Sequence, residues 1–207
     1  MRIVLFGAAG MIGSRVAAEA AGRGHEVTGI SRSGRDGTRA ADAGDAEAVA
    51  RLVAGHDAVV LAVSPPRGGS EATESLLEVG RAVLEGVRRA GVHRLMVVGG
   101  AGALEVAPGV RVVDGLVFPK VYLPTTVAQV ALFDLVKDTG DDLEWTYLSP
   151  AALLTPGKRT GAYRVGGNQL LSDNDGNGHM SAEDYAMALV DELEKGKLVH
   201  RLAHVAP

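Results

Sequence analysis

Apolar positions along this chain alternate between two rhythms. Short unbroken runs mark strands buried on both faces, and longer stretches of three-to-four spacing mark helices packed on them. The runs predict strands over Arg2–Phe6, Glu26–Ile30, Ala58–Val63, Arg94–Val98, Glu144–Leu148 and Leu198–Val205, with a short strand at Arg39–Ala41. Helices are expected over Met11–Arg23, stopped by Gly22 and Gly24, and over Ala46–Ala54 behind Asp45, a good N-cap. Others follow over Ser70–Ala90, ended by Gly91, over Thr125–Thr139, and from the Ser181 cap through Glu194, with Glu183 and Asp184 in its first turn. Tyr163–Leu171 reads as a short strand or hairpin, and Gly99–Leu123 has no period. Strands alternating with helices specify a doubly wound parallel sheet, an α/β chain of one domain over 1–207. No repeat or low-complexity linker interrupts it.

Composition narrows the picture. The chain has 207 residues, enough to bury a sizeable core, and a net charge of -4, which gives no nucleic-acid surface. It has no cysteine, so disulfides, thiolate catalysis and cysteine-held metals are excluded. With aromatics at 4%, the core must be aliphatic. The first residues form a core strand rather than a signal peptide, and no apolar run approaches the ~18 residues of a membrane span. A cytoplasmic protein, monomer or homodimer, acting on a small molecule is the expectation.

The chemistry begins where the first strand ends. Gly7, Gly10 and Gly13 stand between that strand and the first helix, in the spacing G-x-x-G-x-x-G. This is how a βα unit that binds a dinucleotide opens: one glycine for the sharp turn, one for close approach of the pyrophosphate, one for helix–strand packing. The helix N-terminus then offers unpaired N–H groups to phosphate. Gly7, Ala9, Gly10, Met11, Ile12 and Gly13 are the candidate contacts; the competing reading is a glycine-rich turn that only packs. NAD-selective sites place Asp or Glu at the end of the second strand. Here Ser31, Arg32 and Ser33 follow Ile30, with Arg35 beyond. Arg32 can pair with a 2′-phosphate, which favours NADP over NAD; the alternative is a solvated loop arginine.

Several further motifs join the glycines: Asp42-Ala43-Gly44-Asp45, Gly55-His56-Asp57-Ala58-Val59-Val60, Arg94 to Gly102, Leu143 to Pro150, and Ser181 to Ala186. Together, over nearly the whole chain, they resemble the atypical short-chain dehydrogenase/reductase family of NAD(P)H-binding proteins. That family includes NmrA-like and flavin-reductase-like branches and is often labelled NAD-dependent epimerase/dehydratase. The resemblance implies a Rossmann-like sheet with a small C-terminal substrate-side region, here about 103–123 and 155–180. It implies that Asp42 and Ala43 contact adenine, and that Ala62, Val63 and Ser64 line the adenine ribose and pyrophosphate side. It also implies that Gly99, Gly100 and Ala101 lie beside the nicotinamide ribose, and that Pro150 and Ala151 border the nicotinamide.

Catalysis is where the chain departs from the classical family members, which use a Tyr-x-x-x-Lys pair. Four residues after Tyr122 stands Thr126, Tyr185 is followed by Leu189, and Tyr147 and Tyr163 lack the lysine too. Flavin-reductase-like members manage without the pair, because a flavin or quinone takes hydride with a proton from water or a weak acid. Two function classes follow. One is an NADPH-dependent reductase of a flavin, quinone or carbonyl; the other is a non-catalytic dinucleotide sensor of the NmrA-like type, with a sugar-nucleotide epimerase/dehydratase as a further alternative. For the reductase, the acceptor pocket is expected between Ser64, Gly100, the Tyr122 loop and Pro150, with Pro65 and Pro66 stiffening the Ser64 wall. Tyr122 is the candidate proton donor, or else it packs at a helix start. His56, His93, His179, His200 and His204 have no metal-ligand spacing. His179 either faces substrate or lies on the surface. Asp173 to Gly178 hints at a calcium loop but has Asp184 where the bidentate glutamate belongs, so a turn is expected there. Trp145 reads as core.

Overall fold

Seven parallel strands form the main sheet, with an antiparallel eighth on one outer edge. The structure, a computed structural model, describes residues 1–65, 71–115, 119–171 and 178–207. The strands are β1 (Arg2–Phe6), β2 (Glu26–Ser31), β3 (Arg39–Ala40), β4 (Ala58–Leu61), β5 (Arg94–Val98), β8 (Glu144–Ser149), β10 (Arg164–Gly166) and β12 (Arg201–Ala206). The parallel order is β3-β2-β1-β4-β5-β8-β12, and β10 lies antiparallel on the outer edge of β12. Helices α1 (Met11–Gly22) and α5 (Ala182–Lys195) pack together. So do α2 (Ala46–Val53), α3 (Glu71–Arg89) and α4 (Leu123–Lys137), in that sequence.

Alternation along each strand divides the core in two. Val4 and Phe6 of β1, Val59 and Leu61 of β4, Leu95 and Val97 of β5, and Trp145 and Tyr147 of β8 pack with α2, α3 and α4. Ile3, Leu5, Val60, Met96, Val98 and Leu148 pack with α1 and α5. With both faces covered, the strands read as unbroken apolar runs rather than alternating ones. The caps follow the sequence as well: the Asp45 carboxylate accepts from the Glu47 and Ala48 N–H groups, and the Ser181 hydroxyl from that of Asp184.

The differences from expectation lie beyond the carboxyl ends of the strands. The stretch after β5 is not irregular throughout. It forms a 3-10 turn at Ala101–Ala103, a small hairpin of β6 (Glu105–Ala107) and β7 (Val110–Arg111), and a second 3-10 turn at Val112–Asp114. After β8 the chain enters β9 (Leu153–Thr155), which pairs in parallel with β11 (His179–Ser181). Strands of two or three residues are too short to show a period. β4 stops at Leu61 rather than Val63, α4 runs two residues earlier than expected at both ends, and the last strand starts at Arg201 rather than Leu198. Tyr163–Leu171 contributes only β10. The expected helix start at Ser70, Pro66 and the calcium-like Asp173–Asn177 fall outside the described residues.

Candidate functional site

Strand order reverses between β1 and β4, and there the loops after the two strands part to leave a crevice. Its floor is the turn from β1 into α1. Gly7 has φ +81, and a Cβ there would lie 2.3 Å from the Ala62 carbonyl oxygen, so only glycine fits. A Cβ on Gly13 would lie 2.1 Å from the Gly7 oxygen, so α1 rides directly on the turn. Gly10 differs: the one described atom near its Cβ position is that same oxygen, at 3.1 Å, and the rest of the space is open. Gly10 is the N-cap of α1, with no side-chain cap and no acid in the first turn, unlike the capped α2 and α5. Such an end carries free N–H groups and the positive pole of the helix, which suits a phosphate.

The crevice is a cavity of about 660 Å³, lined by Gly7, Ala9, Gly10, Ser31, Arg32, Asp42, Ala43, Ala62, Val63 and Ser64 among others. A neighbouring cavity of about 840 Å³ shares Arg32, Asp42, Val63, Ser64 and Val79 with it and reaches along α3 to Ser75 and Arg81. Volumes of this size suit an extended cofactor. The two arginines of the β2–β3 loop, Arg32 and Arg35, line the first cavity, and neither has an ion-pair partner among the described residues. Ser31 does not supply a free donor: its hydroxyl pairs with Thr38 Oγ1 at 2.6 Å and accepts the Gly34 N–H at 3.0 Å, bracing the loop that carries the arginines. The Asp42 carboxylate accepts the Gly44 N–H, and the Ala43 side chain is mostly core.

The remaining candidates do not line either cavity. Met11 is exposed, Ile12 packs against the α1–α5 core, and Gly13 is buried. A Cβ on Gly99 would lie 2.2 Å from the Tyr147 ring, which makes its lack of side chain a packing requirement. The Gly100 carbonyl accepts from the Ser149 hydroxyl at 3.0 Å, and Ala151 belongs to the core. Pro150 is buried beside it. Of the residues expected around the acceptor, Ser64 lines both of these cavities, and Gly100, Tyr122 and Pro150 line neither. What the sequence missed is the second cavity, since the positions of α3 that face it, such as Ser75 and Val79, carry no distinctive chemistry.

Three of the four tyrosines are committed to structure. Tyr147 donates to the Gln129 carbonyl at 2.7 Å, Tyr185 to that of Leu148 at 2.6 Å, and Tyr163 to the Asp191 carboxylate at 2.6 Å. Burial pushes all three phenols up, and Asp191 adds to the rise at Tyr163. Tyr122 is 61% exposed at the start of α4. His179 Nε2 lies 2.7 Å from the Thr155 hydroxyl, across β9 and β11. His204 is buried, accepts the Leu171 N–H, and is pulled down to about 4 by burial. No group of three potential metal ligands exists among the described residues, and no described helix is long and apolar enough to cross a membrane.

Comparison with known proteins agrees with this geometry. Residues 7–195 match the family described as NAD(P)H-binding. The uncharacterized protein YwnB of Bacillus subtilis is 39% identical over 202 residues, 94% of this chain and 92% of that protein. Among solved structures, a candidate exported protein from Burkholderia pseudomallei is 45% identical with a TM-score of 0.91, each chain covered completely. A candidate NADH-flavin reductase from Streptococcus pneumoniae is 31% identical with a TM-score of 0.82, covering 100% of this chain and 99% of that one. With its reversed strand order, glycine turn and bare helix end, the chain belongs to the NAD(P)H-binding family.

Proposed function

We propose that the protein is an NADPH-dependent reductase that passes hydride to a small conjugated acceptor, a flavin, a quinone or a carbonyl compound, in the cytoplasm. The observation that carries the cofactor choice is the pair of guanidinium groups, Arg32 and Arg35, without an ion-pair partner among the described residues, on the wall of the cavity at the end of β2. The open side of Gly10 and the bare N-terminus of α1 suit the pyrophosphate. Asp42 and Ala43 border the adenine end, and Ala62 to Ser64 form the opposite wall. The regions 103–123 and 155–180 form the acceptor side. A bound nicotinamide supplies the hydride; the chain binds, orients and excludes water around it. The kinship to a flavin reductase supports the acceptor class.

The proton comes from solvent or an acceptor-bound acid rather than from an activated tyrosine. No lysine stands four residues after any tyrosine, and Tyr147, Tyr163 and Tyr185 are held in hydrogen bonds that keep their phenols protonated. Tyr122→Phe is therefore expected to change kcat by less than about threefold, because losing a true acid costs roughly 10²–10⁴-fold. Steady-state kinetics with a quinone and an aldehyde check this.

The test of the whole reading is NADPH oxidation followed at 340 nm against flavins, quinones and aldehydes. Turnover of at least one acceptor is expected; NADPH binding without any oxidation would instead make the protein a dinucleotide sensor. For the cofactor, Arg32→Ala is expected to weaken NADPH about tenfold and leave NADH unchanged, since a charge-assisted bond to phosphate is lost at an exposed position. Calorimetry with both nucleotides measures it, and an unchanged preference overturns the role of Arg32.

A further inference from the structure

The connection from β2 to β3 is a closed loop with its own internal bonds. β3 returns beside β2 in parallel, and the Ala41 N–H reaches back to the Ser31 carbonyl at 3.1 Å. At the tip the Arg35 carbonyl accepts the Thr38 N–H at 3.0 Å, and Asp36 and Gly37 between them have φ +54 and +75. Two successive left-handed residues inside one turn mark the tight type I′ geometry. Two hydroxyls then lace the loop from within. Thr38 has one hydroxyl hydrogen, and it goes to the Arg35 carbonyl at 2.6 Å. The Ser31 hydroxyl, 2.6 Å from Thr38 Oγ1, is therefore the donor of that bond, and its oxygen accepts the Gly34 N–H at 3.0 Å. The bonds run one way, from Gly34 to Ser31 to Thr38 to Arg35, an arrangement in which each strengthens the next. A Cβ on Gly34 would lie 3.1 Å from that of Ala40, so the middle of the loop rests on β3.

This laced loop forms part of the cavity wall. Ser31, Arg32, Ser33 and Arg35 all line the cavity of about 660 Å³, and Thr38 does not. Two guanidinium groups three residues apart repel each other, and the carboxylate on the same wall, Asp42, accepts the Gly44 N–H. An exposed loop of polar residues and glycine has no apolar packing to hold such a pair in place, so its order depends on its hydrogen bonds. We infer that Thr38 is a positioning residue for cofactor selection. Its hydroxyl, through Ser31 and the Arg35 carbonyl, fixes the backbone that carries both arginines, so that they meet the 2′-phosphate of NADPH without the loop having to order first. The choice between NADPH and NADH then depends in part on a side chain that does not line the cavity. The inference rests on the reading of this cavity as an NADPH site. A prefixed loop spares an ordering cost on binding, and only the nucleotide that engages the arginines collects that gain. NADH has no 2′-phosphate, so loosening the loop costs NADPH alone.

The experiment is calorimetry of the whole chain with NADPH and with NADH, beside a thermal melt. Thr38→Val keeps the shape and removes the hydroxyl; Thr38→Ser restores it. Thr38→Val is expected to weaken NADPH about fivefold and to leave NADH within about 1.5-fold, while Thr38→Ser binds both within about 1.5-fold of wild type. Because Thr38 acts through the arginines, the same change made in an Arg32→Ala, Arg35→Ala background is expected to cost NADPH less than about 1.5-fold more. An NADPH affinity unchanged in Thr38→Val overturns the positioning role. So does a fivefold loss that persists without the arginines, or a loss shared by NADH and accompanied by a lower melting temperature, which would make the hydroxyl part of the general fold. Failure of Thr38→Ser to restore NADPH binding assigns the effect to the methyl group and overturns it too. Wild-type protein that binds NADPH no tighter than NADH overturns the cofactor reading itself, and this inference with it.

Discussion

Gly10→Val should abolish binding of the nicotinamide cofactor, weakening it by more than about a hundredfold, in a protein that melts within a few degrees of wild type. The position allows this separation. Gly10 has φ −77 and ψ 169, ordinary extended backbone that valine adopts readily. Its Cβ would meet one atom, the Gly7 oxygen at 3.1 Å, and the branched side chain would then project into the cavity where the pyrophosphate is proposed to approach backbone. Gly13→Ala is the contrasting control. Its Cβ would sit 2.1 Å from a backbone oxygen that cannot move without unseating Gly7, so the fold itself should suffer. Calorimetry with NADPH and a thermal melt on each variant decide the matter. Unchanged affinity in Gly10→Val would show that the glycine turn serves packing alone.

The largest effect on stability is expected far from the cavity, at the amino ends of the strands. Arg94, the first residue of β5, and Glu192 of α5 form an ion pair at 3.1 Å with side chains only 8% and 7% exposed. Arg94 also donates to the Glu144 carbonyl and to the Thr146 hydroxyl, and the same Glu192 oxygen accepts the Leu198 N–H at 2.7 Å. Burial pulls the Arg94 guanidinium below its usual range, and its Nε has no partner among the described residues. Glu192→Leu removes the carboxylate paired with that charge and leaves only the weaker field of Glu144. Breaking a buried pair from one side costs about 3–5 kcal/mol, which in a chain of this size lowers the melting temperature by roughly 6–20 °C. Arg94→Met with Glu192→Leu should recover most of the loss, because the desolvation cost leaves with the pair. A double variant no more stable than the single would mean that the bond to Leu198, not the charge, holds this corner. NADPH affinity should be unchanged in both.

Legibility in the sequence followed the length of the interactions. The longer parallel strands, the described α-helices, and the Asp45 and Ser181 caps are each specified within a window of a few residues, by short apolar runs, by helical spacing or by a side chain bonding two or three residues ahead. The glycine turn was readable for the same reason, since Gly7, Gly10 and Gly13 serve one turn. The acceptor side was not. β9 and β11 are three residues each and pair across more than twenty positions, and nothing local to Gly99 shows the Tyr147 ring lying against it. Ser31 looked like a free donor until Thr38 and Gly34 claimed it. The carboxylates Glu183 and Asp184 read as first-turn acids suited to the helix dipole; that they also hold residues 157–161 depends on a fold that brings segments more than twenty residues apart into contact.

The two outer strands have a bearing on how copies of the protein meet. β3 is two residues long, exposed and headed by Arg39; β10 is three residues long and begins with Arg164. Both margins of the eight-stranded sheet are thus short, and each carries a positive charge. A margin of this kind offers little template for another chain to add itself edge to edge, the route by which sheets grow into fibrils. Crowding or heating that leaves the native fold intact should therefore not propagate the sheet from one molecule to the next.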